Sequence, residues 1–135
     1  MKHFAIISAF LTALFAASYS AHASDNIPAC SSPAVVAKVV KRFNKTERQY
    51  WSHRGLELSG LSRVHHHRGK GYLDSPLHRH RCHATAEFSD GTKRKINFLI
   101  EQHAGFAGFR WGVEYCVSGL DPWHYYDGYC RSIKR

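Results

Sequence analysis

The chain has 135 residues, of which 44% are hydrophobic, and a formal net charge of +9 with its histidines counted as neutral. This length allows one domain with a single modest core and excludes two such domains. The positive charge favours an anionic partner, such as lipid headgroups, anionic glycans, nucleic acid or an acidic protein.

The first segment, residues 1–23, has the pattern of a secretory signal peptide. Lys2 makes its start basic, an apolar run follows, and the small residues that signal peptidases favour end the segment at Ala23. The apolar run is too short to span a membrane comfortably, and no later stretch approaches the length of a span. We therefore expect cleavage near Ala23, a mature chain of charge +8, a flexible lead-in over residues 24–31 and a single domain over residues 32–135.

All cysteines of the chain follow the expected cleavage site: Cys30, Cys82, Cys116 and Cys130. An even number of cysteines in a small exported chain usually means disulfides, and the chain has no CxxC or CxxCH motif. Of the possible pairings we favour Cys116–Cys130, which fastens the aromatic C-terminal tail to the last strand. Cys30–Cys82 then ties the first helix to the sheet. The sequence thus predicts a disulfide-stabilised protein of the bacterial periplasm or exterior, with no transmembrane segment after cleavage.

A helix is predicted to begin at Ser32 and Pro33, which suit the N-cap and the first helical position. It is expected to end between Asn44 and Trp51. Its apolar residues recur at the spacing of one buried helical face: Val36, Val39, Val40 and Phe43. A basic stripe with the same period lies on another face, and we interpret it as solvated.

After Gly55 the pattern changes from a helical to an alternating period, which predicts extended strands with a bulge at Gly60. The expected strands cover residues 56–67, 80–88, 93–102 and 109–117. On the last strand the inward side chains are expected to be Trp111, Val113 and Tyr115. The predicted fold is α+β, with one N-terminal helix packed on a four-stranded antiparallel β-meander. This order of elements resembles cystatin-like and NTF2-like folds, although no cystatin inhibitory signature is present.

The turn between the second and third strands can be predicted from their apolar faces. Ala84 and Ala86 lie on the same side as Ile96 and Phe98 only if the residue numbers of two paired positions add up to an even number. A turn of three residues with Gly91 in a left-handed conformation satisfies this condition, whereas a two-residue turn does not. We therefore expect the three-residue turn.

Six histidines fall within the first predicted hairpin: His65, His66, His67, His78, His80 and His83. With its turn centred near Gly71, this hairpin pairs His65 with His80 and His67 with His78, so that four imidazoles share one face. Imidazole is a good ligand for Zn²⁺ and Cu²⁺, and it can also ligate haem. A periplasmic metal- or haem-binding protein is therefore one alternative function. Three features oppose it: the spacing matches no established zinc module, the flanking cations repel a metal ion, and no ligand carboxylate lies close by in sequence.

The predicted binding surface has two parts. One part is the arginines interspersed with or next to these histidines, and the other is aromatic residues near the C terminus: Arg63, Arg68, Arg79, Arg81, Trp123, Tyr125 and Tyr126. The arginines suit an anionic component of the cell envelope or an acidic protein. The aromatic rings suit sugar stacking or a peptide groove, or they cover the end of the sheet. The absence of an RNA- or DNA-binding motif and the expected compartment oppose a nucleic-acid partner.

A hydrolytic function is the last alternative. Glu101, His103 and Arg110 surround one predicted turn, and a base, an acid and a cation are what a small secreted ribonuclease needs. The chain has no motif of a serine hydrolase, a zinc protease or a P-loop enzyme. We therefore predict a binding protein without catalytic residues and without a required cofactor.

Overall fold

The structure is a computed structural model that describes residues 27–67 and 77–134. Several predictions fall outside the described residues. They are the signal peptide, its cleavage near Ala23, the start of the lead-in, Arg68 and the hairpin turn near Gly71. The described elements follow in chain order: α1 Pro33–Tyr50, β1 Leu58–His66, β2 Arg79–Phe88, β3 Lys93–Glu101, β4 Gly112–Val117 and α2 Arg131–Lys134. Among these residues, no helix combines the length and the apolar character needed to cross a bilayer.

The strands form one antiparallel sheet in the order β1-β2-β3-β4. This confirms the predicted sheet and the helix that precedes it. Ala84 pairs with Ile96, and the turn closes with hydrogen bonds from Phe88 N–H to Thr92 O and from Gly91 N–H to Phe88 O. Gly91 has a φ of +80°, a conformation that costs glycine little because it has no Cβ. The three-residue turn is therefore as predicted.

Helix α1 packs on the sheet with a stripe rotated from the predicted one. Its buried residues are Val35, Val39, Phe43, Asn44 and Glu47. Val36 and Val40, which were predicted to lie on the buried face, are only half-buried. The stripe follows a spacing of four residues and continues through two polar side chains, and a search for apolar residues alone misses that continuation. The end of α1 at Tyr50 lies within the predicted limits.

The core lies between α1 and the face of the sheet that we call the helix face. Its buried strand residues include Cys82, Ala84, Ala86, Phe88, Ile96, Phe98, Ile100, Val113 and Val117. The Phe43 ring packs against Phe88 and Tyr115, with ring centroids 5.5 and 5.8 Å away. Trp111 and Tyr115 are partly buried against this core, as expected, while β4 begins at Gly112, later than predicted.

Two disulfides fasten the N-terminal segment and the C-terminal tail to opposite faces of the sheet. Cys30 joins Cys82 of β2 on the helix face, and Cys116 of β4 joins Cys130. These are the pairings expected from the sequence. The second disulfide belongs to a small cluster on the other face: Cys116, Cys130, Ile133, Leu99 and Tyr126. Helix α2 therefore covers one part of that face.

The remainder of this second face is what we call the open face. Because side chains alternate along a strand, its residues follow from the pairing of β2 with β3. The central pairs are Thr85 with Lys95 and His83 with Asn97.

Candidate anion-binding surface

Strand β1 has two bulges, and the second of them determines which face of the sheet the histidines lie on. Between the Ser62–Thr85 and His65–His83 pairs, β1 advances three residues while β2 advances two. Arg63 lies in this step with a φ of +50°, which is the geometry of a bulge. The bulge at Gly60 was predicted and is confirmed by a register shift between Leu58 and Gly60. The second bulge was not predicted, because no glycine indicates it.

The predicted pairing of His65 with His80 is wrong, since His65 pairs with His83. The prediction assumed that the turn sets the register of this hairpin. Instead, Leu58 and Leu61 of β1 pack into the core on the helix face, and burial of these side chains specifies the register more strongly than a long connection does.

The histidines consequently divide between the two faces. On the open face, the rings of His65 and His67 lie with their centroids 5.4 and 6.2 Å from that of His83. On the helix face, the ring centroid of His66 lies 5.2 Å from that of His80.

The four predicted metal ligands therefore do not share one face. His65 and His67 lie on the open face, whereas His80 lies on the helix face with its Nδ1 at 3.2 Å from the Pro28 carbonyl oxygen. His78 is exposed. Within residues 27–67 and 77–134, no three side chains of histidine, cysteine, aspartate or glutamate are grouped so that they could hold a metal ion.

The open face around His83 is strongly basic. A shallow depression of about 410 Å³ is lined by Arg63, His65, His83, Ala84, Thr85, Lys93, Arg94 and Lys95. No carboxylate belongs to this lining within the described part of the chain. Arg63 Nη2 donates to Thr85 Oγ1 at 3.0 Å, which keeps the guanidinium over the sheet. Such an arrangement attracts anions.

Burial lowers the pKa of His83 from its ordinary value, and the positive charges of Lys95, His65 and His67 lower it further. Each of these causes disfavours the protonated imidazole. An anion bound beside the ring would oppose them, so His83 would report the arrival of an anionic ligand.

The predicted arginines differ in their surroundings. Arg63 lines the depression, and Arg81 lines a smaller cavity beside it. Arg79 instead forms an ion pair with Glu101, with 2.8 Å between Nε and Oε2. Its charge is therefore offset within the sheet. Lys93 and Lys95 are not among the predicted binding residues, although their alternation with the apolar residues of β3 places them on the open face.

The aromatic half of the predicted binding surface lies elsewhere, beside the C-terminal end of α1. It borders a cleft of about 610 Å³ whose lining shares no residue with the basic depression. Trp123 packs against Trp51 with 4.9 Å between ring centroids, and the Trp123 and Tyr125 side chains are 78% and 80% exposed. Tyr126 donates its hydroxyl to Glu114, which also accepts from Arg42 at 2.9 Å.

Each of the three residues considered for hydrolysis contacts a residue outside this group of three. Glu101 is held by Arg79, and His103 Nδ1 lies 3.3 Å from the Gly108 carbonyl oxygen. Arg110 is exposed, and its carbonyl accepts the Gly105 N–H at 3.4 Å. These contacts organise the loop between β3 and β4.

Comparison of the chain with known proteins finds no matching family model, no matching curated protein and no matching solved structure.

Proposed function

We propose that this protein binds an anionic component of the cell envelope against the open face of its sheet and catalyses no reaction. The observation that carries the proposal is the depression lined by Arg63 and Lys95, whose described lining contains no carboxylate. Several cations on one face raise the local concentration of anions and strengthen binding in proportion to the number of anionic groups that they meet.

The distribution of carboxylates along β2 and β3 supports this proposal. On the open face these strands carry Glu87 at one end and Glu101 at the other. Glu87 Oε1 accepts from Lys93 Nζ at 3.1 Å and from Ser62 Oγ at 2.8 Å, and Glu101 is paired with Arg79. The two negative charges are thus engaged at the ends, and the cations in the middle of the face are left to act on a partner.

The proposed location is the periplasm or the exterior of a bacterial cell. Two disulfides support it, because disulfides persist in oxidising compartments. In this proposal residues 1–23 are the signal peptide and residues 32–135 form the domain. The order of helix and strands also supports the proposed likeness to cystatin-like and NTF2-like folds, but such a likeness carries no function by itself.

The experiment compares binding of polyphosphate and polyglutamate, at low and moderate salt, by four charge-reversal variants. Arg63→Glu and Lys95→Glu change the open face. Lys41→Glu and Lys45→Glu make the same change of net charge on exposed positions of α1. We expect the first two variants to lose about tenfold in affinity for a polyanion at low salt, and moderate salt to weaken binding by the unmodified protein.

The outcome that overturns the proposal is an equal loss in all four variants, since net charge alone would then account for binding. Absence of binding to either polymer at low salt overturns it as well. A preference for polyglutamate would identify an acidic protein as the partner class.

The exposed rings of Trp123 and Tyr125 favour a second, separate surface for an uncharged partner such as a sugar. Planar aromatic rings stack on the apolar faces of sugars, and the cleft beside them also offers Glu114 and Arg42 as hydrogen-bonding groups. Trp123→Ala should abolish retention on an oligosaccharide column without changing polyphosphate binding. Unchanged retention would remove this second candidate.

The metal or haem alternative and the hydrolase alternative stay predictions. Titration with Zn²⁺, Cu²⁺ and haem should give equal, weak binding by the protein and by a variant with alanine at His65, His67, His78 and His80. Incubation with RNA and with peptidoglycan should give no turnover that Glu101→Gln removes.

A further inference from the structure

We propose that the small cavity enclosed by β2, β3 and α2 is a seat for one tetrahedral oxyanion, of the phosphate or sulfate class. The cavity has a volume of about 100 Å³ and is lined by His67, Arg81, Cys82, His83, Lys95, Asn97, Ile133 and Lys134. This inference rests on the proposed function, because it specifies which anionic group of the partner the open face holds most closely.

Asn97 provides the first argument. Its side chain is 4% exposed, and its Nδ2 has no hydrogen-bond partner among the described residues. An amide N–H₂ that is buried without an acceptor destabilises the fold. An oxyanion oxygen in the cavity would provide the missing acceptor.

The cations of the lining provide the second argument. Each packed element contributes one: Arg81 from β2, Lys95 from β3 and Lys134 from α2. His67 of the segment after β1 and His83 of β2 add two imidazoles. The ionisable side chains of the lining are therefore all basic.

A site built from donors selects a ligand built from acceptors. A tetrahedral oxyanion presents oxygens in several directions at once, so it can meet a guanidinium, an ammonium and an amide together. A carboxylate presents two oxygens in one plane and can meet fewer of these groups. The geometry of the lining therefore favours phosphate or sulfate over a carboxylate.

The size of the cavity limits what can enter it. Its volume of about 100 Å³ exceeds the roughly 10–15 Å³ that one ordered water requires. The space therefore accommodates one small ion such as phosphate. His83 and Lys95 line both this cavity and the larger basic depression. A phosphate-bearing polymer would consequently place one group in the cavity and its neighbouring groups over Arg63.

The roof of the cavity is the C-terminal tail. Ile133 is buried against the Cys116–Cys130 disulfide, and Lys134 Nζ donates to the Tyr129 carbonyl oxygen at 2.5 Å. The ammonium group of Lys134 has two further N–H groups for a ligand. The disulfide thus holds one wall of the seat in place over the sheet.

The test is isothermal titration with inorganic phosphate, sulfate and acetate of the unmodified protein and three variants. Lys134→Gln removes one cation from the cavity, and Asn97→Leu removes the buried donor. Lys45→Gln removes the same charge as Lys134→Gln but from the exposed side of α1. Changes in the ring signals of His83, followed by NMR, locate the bound ion.

We expect phosphate and sulfate to bind at least tenfold more tightly than acetate and to shift the His83 signals. Lys134→Gln and Asn97→Leu should each weaken phosphate binding by about tenfold, the factor expected for loss of one hydrogen bond to a charged group. Lys45→Gln should change it by less than twofold. If Asn97→Leu does not fold, the result for Lys134→Gln alone tests the inference. Lys134 lies at the end of α2, so its substitution should leave the fold intact. Equal binding of phosphate and acetate, or equal binding by the Lys134 and Lys45 variants, overturns the inference.

The polymers distinguish failure of this inference from failure of the proposed function. If the seat is used, Lys134→Gln weakens binding of polyphosphate and leaves binding of polyglutamate unchanged. If both polymers bind equally and Lys134→Gln affects neither, the oxyanion seat is wrong while the basic face still binds anions. If inorganic phosphate binds but neither polymer does, the seat serves a free ion and the proposed function is wrong.

Discussion

The side chain of Asn44 in α1 binds both backbone polar groups of Leu58, the first residue of β1. Asn44 Nδ2 donates to the Leu58 carbonyl oxygen at 3.1 Å, and the Leu58 N–H donates to Asn44 Oδ1 at 2.8 Å. Both residues are buried. An amide side chain of the helix thereby supplies the partners that the start of an edge strand would otherwise take from water.

We expect Asn44→Ala to lower the free energy of unfolding by about 2–3 kcal/mol, because it leaves two buried backbone groups of Leu58 without partners. Urea unfolding followed by circular dichroism measures the change. Gln49→Ala, at an exposed position of the same helix, is the matched control and should cost no more than about 0.5 kcal/mol. Equal losses in the two variants would contradict the structural role of Asn44.

The two disulfides should contribute unequally to stability. Cys30–Cys82 closes a loop of 52 residues and Cys116–Cys130 a loop of 14, and a longer loop loses more entropy in the unfolded chain. Replacing the first pair by alanine should cost about 4 kcal/mol, and replacing the second pair about 3 kcal/mol. Urea midpoints of the two double variants measure the order. A larger loss for the second pair would show that packing of the C-terminal tail, and not chain entropy, dominates.

Stability should depend on pH through His83. Its pKa is lowered in the folded protein by burial and by neighbouring positive charge, so the unfolded chain binds the proton more tightly. The contribution of His83 is therefore fully present above its unfolded pKa, about 6.5, and is lost as the pH falls from there through the folded pKa. His83→Gln should flatten the decrease in unfolding free energy across this range. A variant with an unchanged pH profile would exclude His83 as the cause.

Phosphate should change that profile in a defined direction. An anion beside His83 favours its protonated form and raises its pKa, so added phosphate should reduce the loss of stability on acidification. The comparison is the urea midpoint of the protein with phosphate and with an equal ionic strength of chloride. An identical effect of the two salts would contradict binding near His83.

Two strand glycines should respond to the same substitution by very different amounts. A Cβ at Gly112 would overlap the Ala104 carbonyl oxygen, whereas among the described residues nothing lies within 4 Å of a Cβ at Gly60. Gly112→Ala should therefore cost about 2–3 kcal/mol because the backbone must shift, and Gly60→Ala should change stability by no more than about 0.5 kcal/mol. Thermal unfolding compares the two. Similar melting temperatures would show that the loop before β4 adapts freely.

Much of the fold could be predicted from local patterns in the chain. Proline at the first position of α1, alternation along β2 and β3, and the left-handed Gly91 are properties of neighbouring residues, and each was recognised correctly. These features depend on spacing alone, which a sequence displays directly. The favoured disulfide pairing, chosen because it fastens the C-terminal tail to the last strand and the first helix to the sheet, is also the observed one.

The positions of the histidines depended on contacts that the spacing does not display. The register of β1 with β2 follows from burial of Leu58 and Leu61 against α1 and from a bulge at Arg63. One inserted residue reverses the face of every side chain beyond it. For this reason His65 meets His83 and not His80.

The amino-acid sequence by itself determined an α+β meander with an N-terminal helix, its tight turn and an excess of positive charge. Only the tertiary structure decided where that charge lies, because pairing of β2 with β3 gathers Arg81, Lys95 and Asn97 on one face. The Cys116–Cys130 disulfide then brings Lys134 over them. Residues this far apart in the chain meet only when the sheet register and the disulfide are both in place, and no local pattern contains that information.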